Sequence, residues 1–196
     1  MPNSTCAVLL AVVALLAAGC AADGGDLAPA ATAESATAAI EDDAKWVATT
    51  RSGATITAEA PADDDHPLVE QAEEYREAAK APEPFYVVVV FDNTDGPETL
   101  DVFEGGRVVT DAGVEVPVPH LAATGGVFET QIHPQLPLTM QEEGYDWFAE
   151  FHRHQAVAPG AVEEVVLATA TPVSDVAEVH VLLDDDGREV ELEPAS

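Results

Sequence analysis

The chain has only two cysteines, Cys6 and Cys20, and none beyond residue 20. A domain built from the later residues can hold neither an internal disulfide nor a thiol nucleophile, so its stability must come from a packed core. Basic residues are almost as scarce. Seven Lys and Arg stand against 37 Asp and Glu, a formal net charge of −30, and Lys45 and Lys80 are the only lysines. No basic stripe survives in such a composition; a phosphate backbone would be repelled, and nucleic acid is excluded as a partner. Also missing are the G-x-S-x-G, P-loop, Rossmann-glycine and H-E-x-x-H patterns, so the expected role is non-enzymatic. Carboxylate pairs abound, but at this acid density proximity carries no catalytic information. Finally, the apolar run from Ala7 to Cys20 falls short of the about 20 residues that cross a bilayer.

That run has the length of a signal-peptide core and closes on small residues, Leu16-Ala17-Ala18-Gly19-Cys20. The box resembles the cleavage and lipidation box of prokaryotic lipoproteins. It departs from that pattern at Ala17, where a branched residue is commoner, and in Met1 to Cys6, which carry no Lys or Arg. The resemblance implies cleavage before Cys20, lipidation of Cys20, and a protein held at the cell membrane on its extracytoplasmic face. Each buried methylene contributes roughly 0.8 kcal/mol, so two or more acyl chains anchor stably. An ordinary cleaved signal and an uncleaved anchor are the alternatives. The expected organisation is a signal peptide over 1–19, a flexible acidic linker over 20–45, rich in Ala, Thr, Gly and Asp, and one domain over 46–196. Acid is spread along the whole of that length. Capture of cations is one reading of it; a halophilic adaptation, in which dense carboxylates keep the surface soluble at high salt, fits the even spread and the scarcity of lysine better.

Within the domain, Ala54 to Ala58 alternates small and β-branched residues and predicts a strand, with Trp46-Val47 continuing it across the Ser52-Gly53 turn. Asp65 or His66 then caps a helix with Pro67 at its first position and Leu68, Ala72, Tyr75 and Ala79 on one face, ending near Lys80 before Pro82 and Pro84. Tyr86 to Phe91 predicts a buried strand. Thr99 to Phe103 follows, then Arg107 to Thr110 and Val114 to Val118 as a hairpin across Asp111-Ala112-Gly113. Pro119 to Gly144 reads as a long connection with Phe128, Ile132 and Leu136 in partial core contact. Asp146 to His154, Val162 to Ala170, Ala177 to Leu183 and Arg188 to Leu192 complete the strands, the last two joined by Asp184-Asp185-Asp186-Gly187. Short strands at this spacing predict a mainly β fold, a β-sandwich with one short N-terminal helix.

The order of Phe91-Asp92-Asn93-Thr94 at a strand end, Arg107 to Gly113, and Ala158-Pro159-Gly160-Ala161-Val162 leading into a strand resembles the immunoglobulin-like β-sandwich domains of extracytoplasmic bacterial lipoproteins. Those domains pair "V-x-V-x-N-x" strands with a later "x-P-G" turn. The resemblance covers Ala54 to Pro194 and implies a fold without a role, since sandwiches host many functions.

One side-chain cluster carries chemistry. If Asp146 to His154 is a strand, Glu150, His152 and His154 share a face while Trp147, Ala149 and Phe151 point into the core. Two imidazoles and a carboxylate suit Zn²⁺ or Cu²⁺, with His120, His133 or Met140 completing the shell; the ordinary alternative is a solvated strand face. His66 is expected at a helix start and His180 on the solvent side of its strand. Trp147 and Phe148 suggest a sugar platform, although a Trp on an inner face is more often core. The expected protein is thus a lipid-anchored binding or interaction module that needs no cofactor, its partners the membrane and a protein or small ligand at the cell surface. The alternative is a metal-binding lipoprotein using Glu150, His152 and His154.

Overall fold

The computed structural model describes residues 45–151, 156–183 and 188–195, with side chains except at 101–104, 150 and 151. The signal segment 1–19, Cys20, the linker up to residue 44, His152, His154 and the turn 184–187 lie outside the described residues.

Nine strands and two helices are present: β1 Lys45–Thr49, β2 Thr55–Glu59, α1 Pro67–Ala79, β3 Phe85–Asp92, β4 Leu100–Thr110, β5 Glu115–Pro119, α2 Leu138–Phe151, β6 Ala156–Val157, β7 Val162–Thr169, β8 Val176–Leu183 and β9 Arg188–Pro194. A π-helical turn over Phe128–Ile132 and a 3₁₀ turn over His133–Gln135 precede α2. The fold is mainly β, as expected, but pairing does not divide it into two separate sheets. All pairings are antiparallel in the order β5-β4-β8-β9-β1-β2-β3-β7, with β6 added to the start of β4. His120, just after β5, makes an antiparallel bridge to Leu167 of β7, and the Leu121 N–H donates to the Val166 carbonyl at 2.8 Å. The sheet therefore nearly closes into an eight-stranded barrel. Its β1–β9 pairing, Trp46 to Pro194 and Val47 to Glu193, joins the halves that a sandwich would leave apart.

The Val-rich runs explain the two cores. On β3, Val87, Val89 and Phe91 point inward; on β7, Val165 and Leu167 do the same. They meet Ile56, Val108, Val116, Val179, Val181 and Leu192 and fill the barrel, leaving no lumen. The opposite faces, with Tyr86, Val88, Val166 and Ala168, are buried under Val69, Ala72, Tyr75 and Ala79 of α1 and under Phe128, Ile132 and Leu136. Strands covered on both faces read as unbroken apolar runs, which is why Tyr86 to Phe91 does not alternate.

The N-terminal helix forms where expected. His66 Nδ1 accepts from the Leu68 N–H at 3.3 Å, Pro67 opens the helix, and Lys80 closes it in the left-handed conformation at φ 55°. Its buried face contains Val69 in place of Leu68, which is half-buried. Glu73 ties the helix to the sheet by accepting from the Tyr86 hydroxyl at 2.8 Å and pairing with Arg76. Burial first, and then this carboxylate contact, raises the Tyr86 phenol above its ordinary value.

Three expectations are corrected. Thr99 to Phe103 and Arg107 to Thr110 are one strand, β4; Gly105-Gly106 marks an irregular register against β8, where a Cβ on Gly106 would stand 2.4 Å from the His180 carbonyl oxygen. The connection Pro119 to Gly144 is largely helical. Most consequentially, Asp146 to Phe151 is the second half of helix α2 and not a strand. Met140, Gly144, Trp147 and Phe148 recur at helical spacing, and Gly144 lets the helix approach Tyr75, whose Cε1 would lie 3.2 Å from a Cβ there. The protein thus has a second helix where a single N-terminal one is expected. Among the described residues no helix is long and apolar enough to cross a membrane.

Candidate functional site

The metal hypothesis starts from a strand face, and the helix removes that premise. Successive helical residues turn by about 100°, so side chains two apart project to nearly opposite sides. The backbone at Glu150 is helical; its side chain, and all of His152 and His154, are outside the description. The residues proposed to complete the shell have other duties. His120 is buried at the barrel closure, where its Nδ1 accepts from the Ala122 N–H at 3.0 Å. His133 lies 6.1 Å, ring to ring, from both Phe128 and Tyr145, and Met140 packs into the helical core. Among the described residues no three His, Cys, Asp or Glu side chains form a metal cage. Zn²⁺ or Cu²⁺ added to the purified protein is therefore expected to leave its melting temperature unchanged. A rise that His152→Ala or His154→Ala abolishes would establish the metal reading instead, because a ligand bound to the native state stabilises it.

Trp147 and Phe148 form no sugar platform on a sheet, nor does Trp147 enter the barrel core. Both are half-buried around Phe128. Phe148 stacks on it at 4.8 Å between centroids, Trp147 is tilted at 5.5 Å, and Trp147 also meets Tyr75 at 5.1 Å.

His180 corrects another expectation. It does lie on the outer side of β8, opposite the inward Val179 and Val181, yet it is only 6% exposed. Arg107 stands directly across the strand pair from it and reaches over it to Glu189, while the His180 ring contacts Glu178 through Nε2 at 2.9 Å and Glu189 through Nδ1 at 3.6 Å. Long charged stems cover a ring that alternation alone would expose. The hydrogen bond from Arg107 holds the Glu189 carboxyl below the usual carboxylate range. The two carboxylates engage opposite ring nitrogens, so they cannot converge on one ion at His180; the cluster is a cross-strand charge network.

A different place gathers unmatched groups. At one end of the barrel, the β1–β2 hairpin, the β3–β4 loop and the β8–β9 hairpin border a cleft of about 410 Å³ lined by Arg51, Ser52, Pro97, Glu98, Thr99, Leu100, Leu183 and Arg188. Each wall is held. The first is a tight loop in which the Ala54 N–H donates to Thr50 Oγ1 at 3.0 Å and Thr50 Oγ1 lies 2.9 Å from Ser52 Oγ. In the second, the Asn93 side-chain amide donates to the Glu98 and Val157 carbonyls, both at 2.9 Å. In the third, Leu183 and Arg188 are the last register pair before the turn. Neither Arg51 nor Arg188 makes an ion pair with another described residue, whereas Lys45, Arg76 and Arg107 each pair with glutamate. The arginines stand alone in sequence, so no motif signalled them; only the pairing order brings them together.

The geometry defines a nearly closed antiparallel barrel with a helical layer on one outer face and a cleft at one mouth. Comparison with protein-family models, with curated proteins and with solved structures finds no match to the chain.

Proposed function

We propose that the protein is a membrane-anchored extracytoplasmic lipoprotein whose barrel domain acts as a non-enzymatic binding module. The observation that carries this is the box Leu16-Ala17-Ala18-Gly19-Cys20 at the end of an apolar run, followed by a stretch of small and acidic residues. Lipid on Cys20 would hold the chain at the membrane, and the linker would separate the domain from it. Support for a binding role comes from the cleft, since the mouths of β-barrels are among the places where small ligands bind. The immunoglobulin-like relationship rests on the N-and-P-G pairing described above, with the barrel-like closure as its departure from a plain sandwich.

Cys20→Ser is the test. The wild type, expressed in a bacterium that processes lipoproteins, is expected in the detergent phase, and the variant in the aqueous or unprocessed fraction. A cleaved variant that still partitions with the membrane would end the lipoprotein reading.

A further inference from the structure

We propose that the cleft at the barrel mouth binds a small organic oxyanion, a carboxylate or a phosphate monoester with an apolar body, through the guanidinium groups of Arg51 and Arg188. This rests on the reading of the domain as a binding module and names the ligand class it would take.

With 37 acidic residues for 7 basic ones, an arginine on this surface has carboxylates on offer almost anywhere. Arg76 and Arg107 show the usual outcome, each locked to a glutamate. Arg51 and Arg188 come from hairpins far apart in sequence, line one cleft, and have no carboxylate within ion-pairing distance among the described residues. Planar guanidinium groups offer forked donors that match the paired oxygens of carboxylate and phosphate. Ser52 and Thr99 add hydroxyls beside them, and the buried Leu100 and Leu183 supply an apolar floor for the body of a ligand.

The overall charge of −30 does not oppose such a ligand once it has arrived. At 0.15 M salt the screening length is about 8 Å, so distant carboxylates contribute little at contact, where the two arginines dominate. Glu98, the one acid among the lining residues, leaves the cleft with a net positive side-chain charge and provides an acceptor for a hydroxyl on the ligand. The walls are already held by the Thr50 and Asn93 hydrogen bonds, so little ordering entropy is lost on binding.

The full chain in detergent micelles at 0.15 M NaCl is titrated calorimetrically with phenyl phosphate and with benzoate, and with benzylamine as the cationic control. Saturable binding of at least one anion and none of benzylamine is expected. Arg51→Gln and Arg188→Gln should each weaken it at least tenfold, while Lys80→Gln, at the end of α1, leaves it unchanged. Both arginines are exposed, and thermal melts of the variants check that the fold is retained. Absence of saturable binding by either anion, or binding indifferent to both arginine variants, overturns the proposal; so does binding of benzylamine at equal strength. Phenol released from phenyl phosphate in the wild type but not in the arginine variants would uphold the cleft and end the non-enzymatic reading. The partitioning of Cys20→Ser reports on the anchor independently.

Discussion

Phe128→Ala should be among the most destabilising single changes in the protein, costing about 3–5 kcal/mol. Phe128 is 1% exposed and meets Tyr75 edge-on at 5.9 Å, stacks on Phe148, and touches Trp147 and His133, so α1, α2 and the turn before α2 all converge on one ring. Truncation removes the transfer energy of the ring, leaves a cavity, and loses aromatic pair terms of roughly 0.5–1.5 kcal/mol each. For a chain of this length the melting temperature should fall by about 6–20 °C, since each kcal/mol shifts it by roughly 2–4 °C. Trp147 fluorescence should change with it. Leu138→Ala is the control: Leu138 is 85% exposed at the start of the same helix and should cost less than about 0.5 kcal/mol. A cost below about 1 kcal/mol for Phe128→Ala would mean that the helical layer is not packed on the barrel as described.

The second large effect is expected from salt. Folding concentrates a formal charge of −30 on a compact surface, and self-repulsion among the carboxylates opposes it. Monovalent salt shortens the screening length from about 10 Å at 0.1 M to about 3 Å at 1 M, so the folded state should stabilise as NaCl or KCl rises. Salt also weakens the favourable pairs Lys45–Glu59, Arg76–Glu73 and Arg107–Glu189. Those are few, and partly exposed pairs of this kind contribute about 0.2–1 kcal/mol each, so the relief of repulsion should win. An unfolding midpoint that stays flat or falls between about 0.1 and 2 M would rule out the surface-adaptation account of the acidity.

How far the residues spoke for themselves depended on whether their signal was local. The helix Pro67–Ala79 carries its own start and stop in His66, Pro67 and the residues after Lys80. The hairpin across Asp111-Ala112-Gly113 and the strands β3, β7, β8 and β9 were equally legible, through turn residues and apolar runs. The pairing of Asn93 with the Pro159-Gly160 turn also has a physical basis. The Asn93 N–H donates to the Ala161 carbonyl, the Asn93 carbonyl accepts from the Gly160 N–H, and its side-chain amide holds the next loop.

The failures share another cause. Asp146 to Phe151 satisfies both a two-residue and a helical period over so short a span, and Gly144 looks like a breaker. Only the Tyr75 ring packed against Gly144, with Phe128 awaiting Trp147 and Phe148, selects the helix. His180 was assigned to the correct side of its strand, but its burial depends on Arg107 and Glu189 arriving from β4 and β9.

By itself, then, the sequence determined the address box at Cys20, the acidic surface, the absence of disulfides beyond residue 20 and a mainly β domain, because each is set by composition or by contacts within a few residues. Tertiary structure decided the rest. Whether the strands form two sheets or one nearly closed barrel depends on the β1–β9 pairing and on the His120–Leu167 bridge, contacts between residues far apart in the chain. The cleft holding Arg51 and Arg188 depends on the same pairing, since guanidinium groups on separate hairpins become a site only when the strand order places those hairpins at one rim of the barrel.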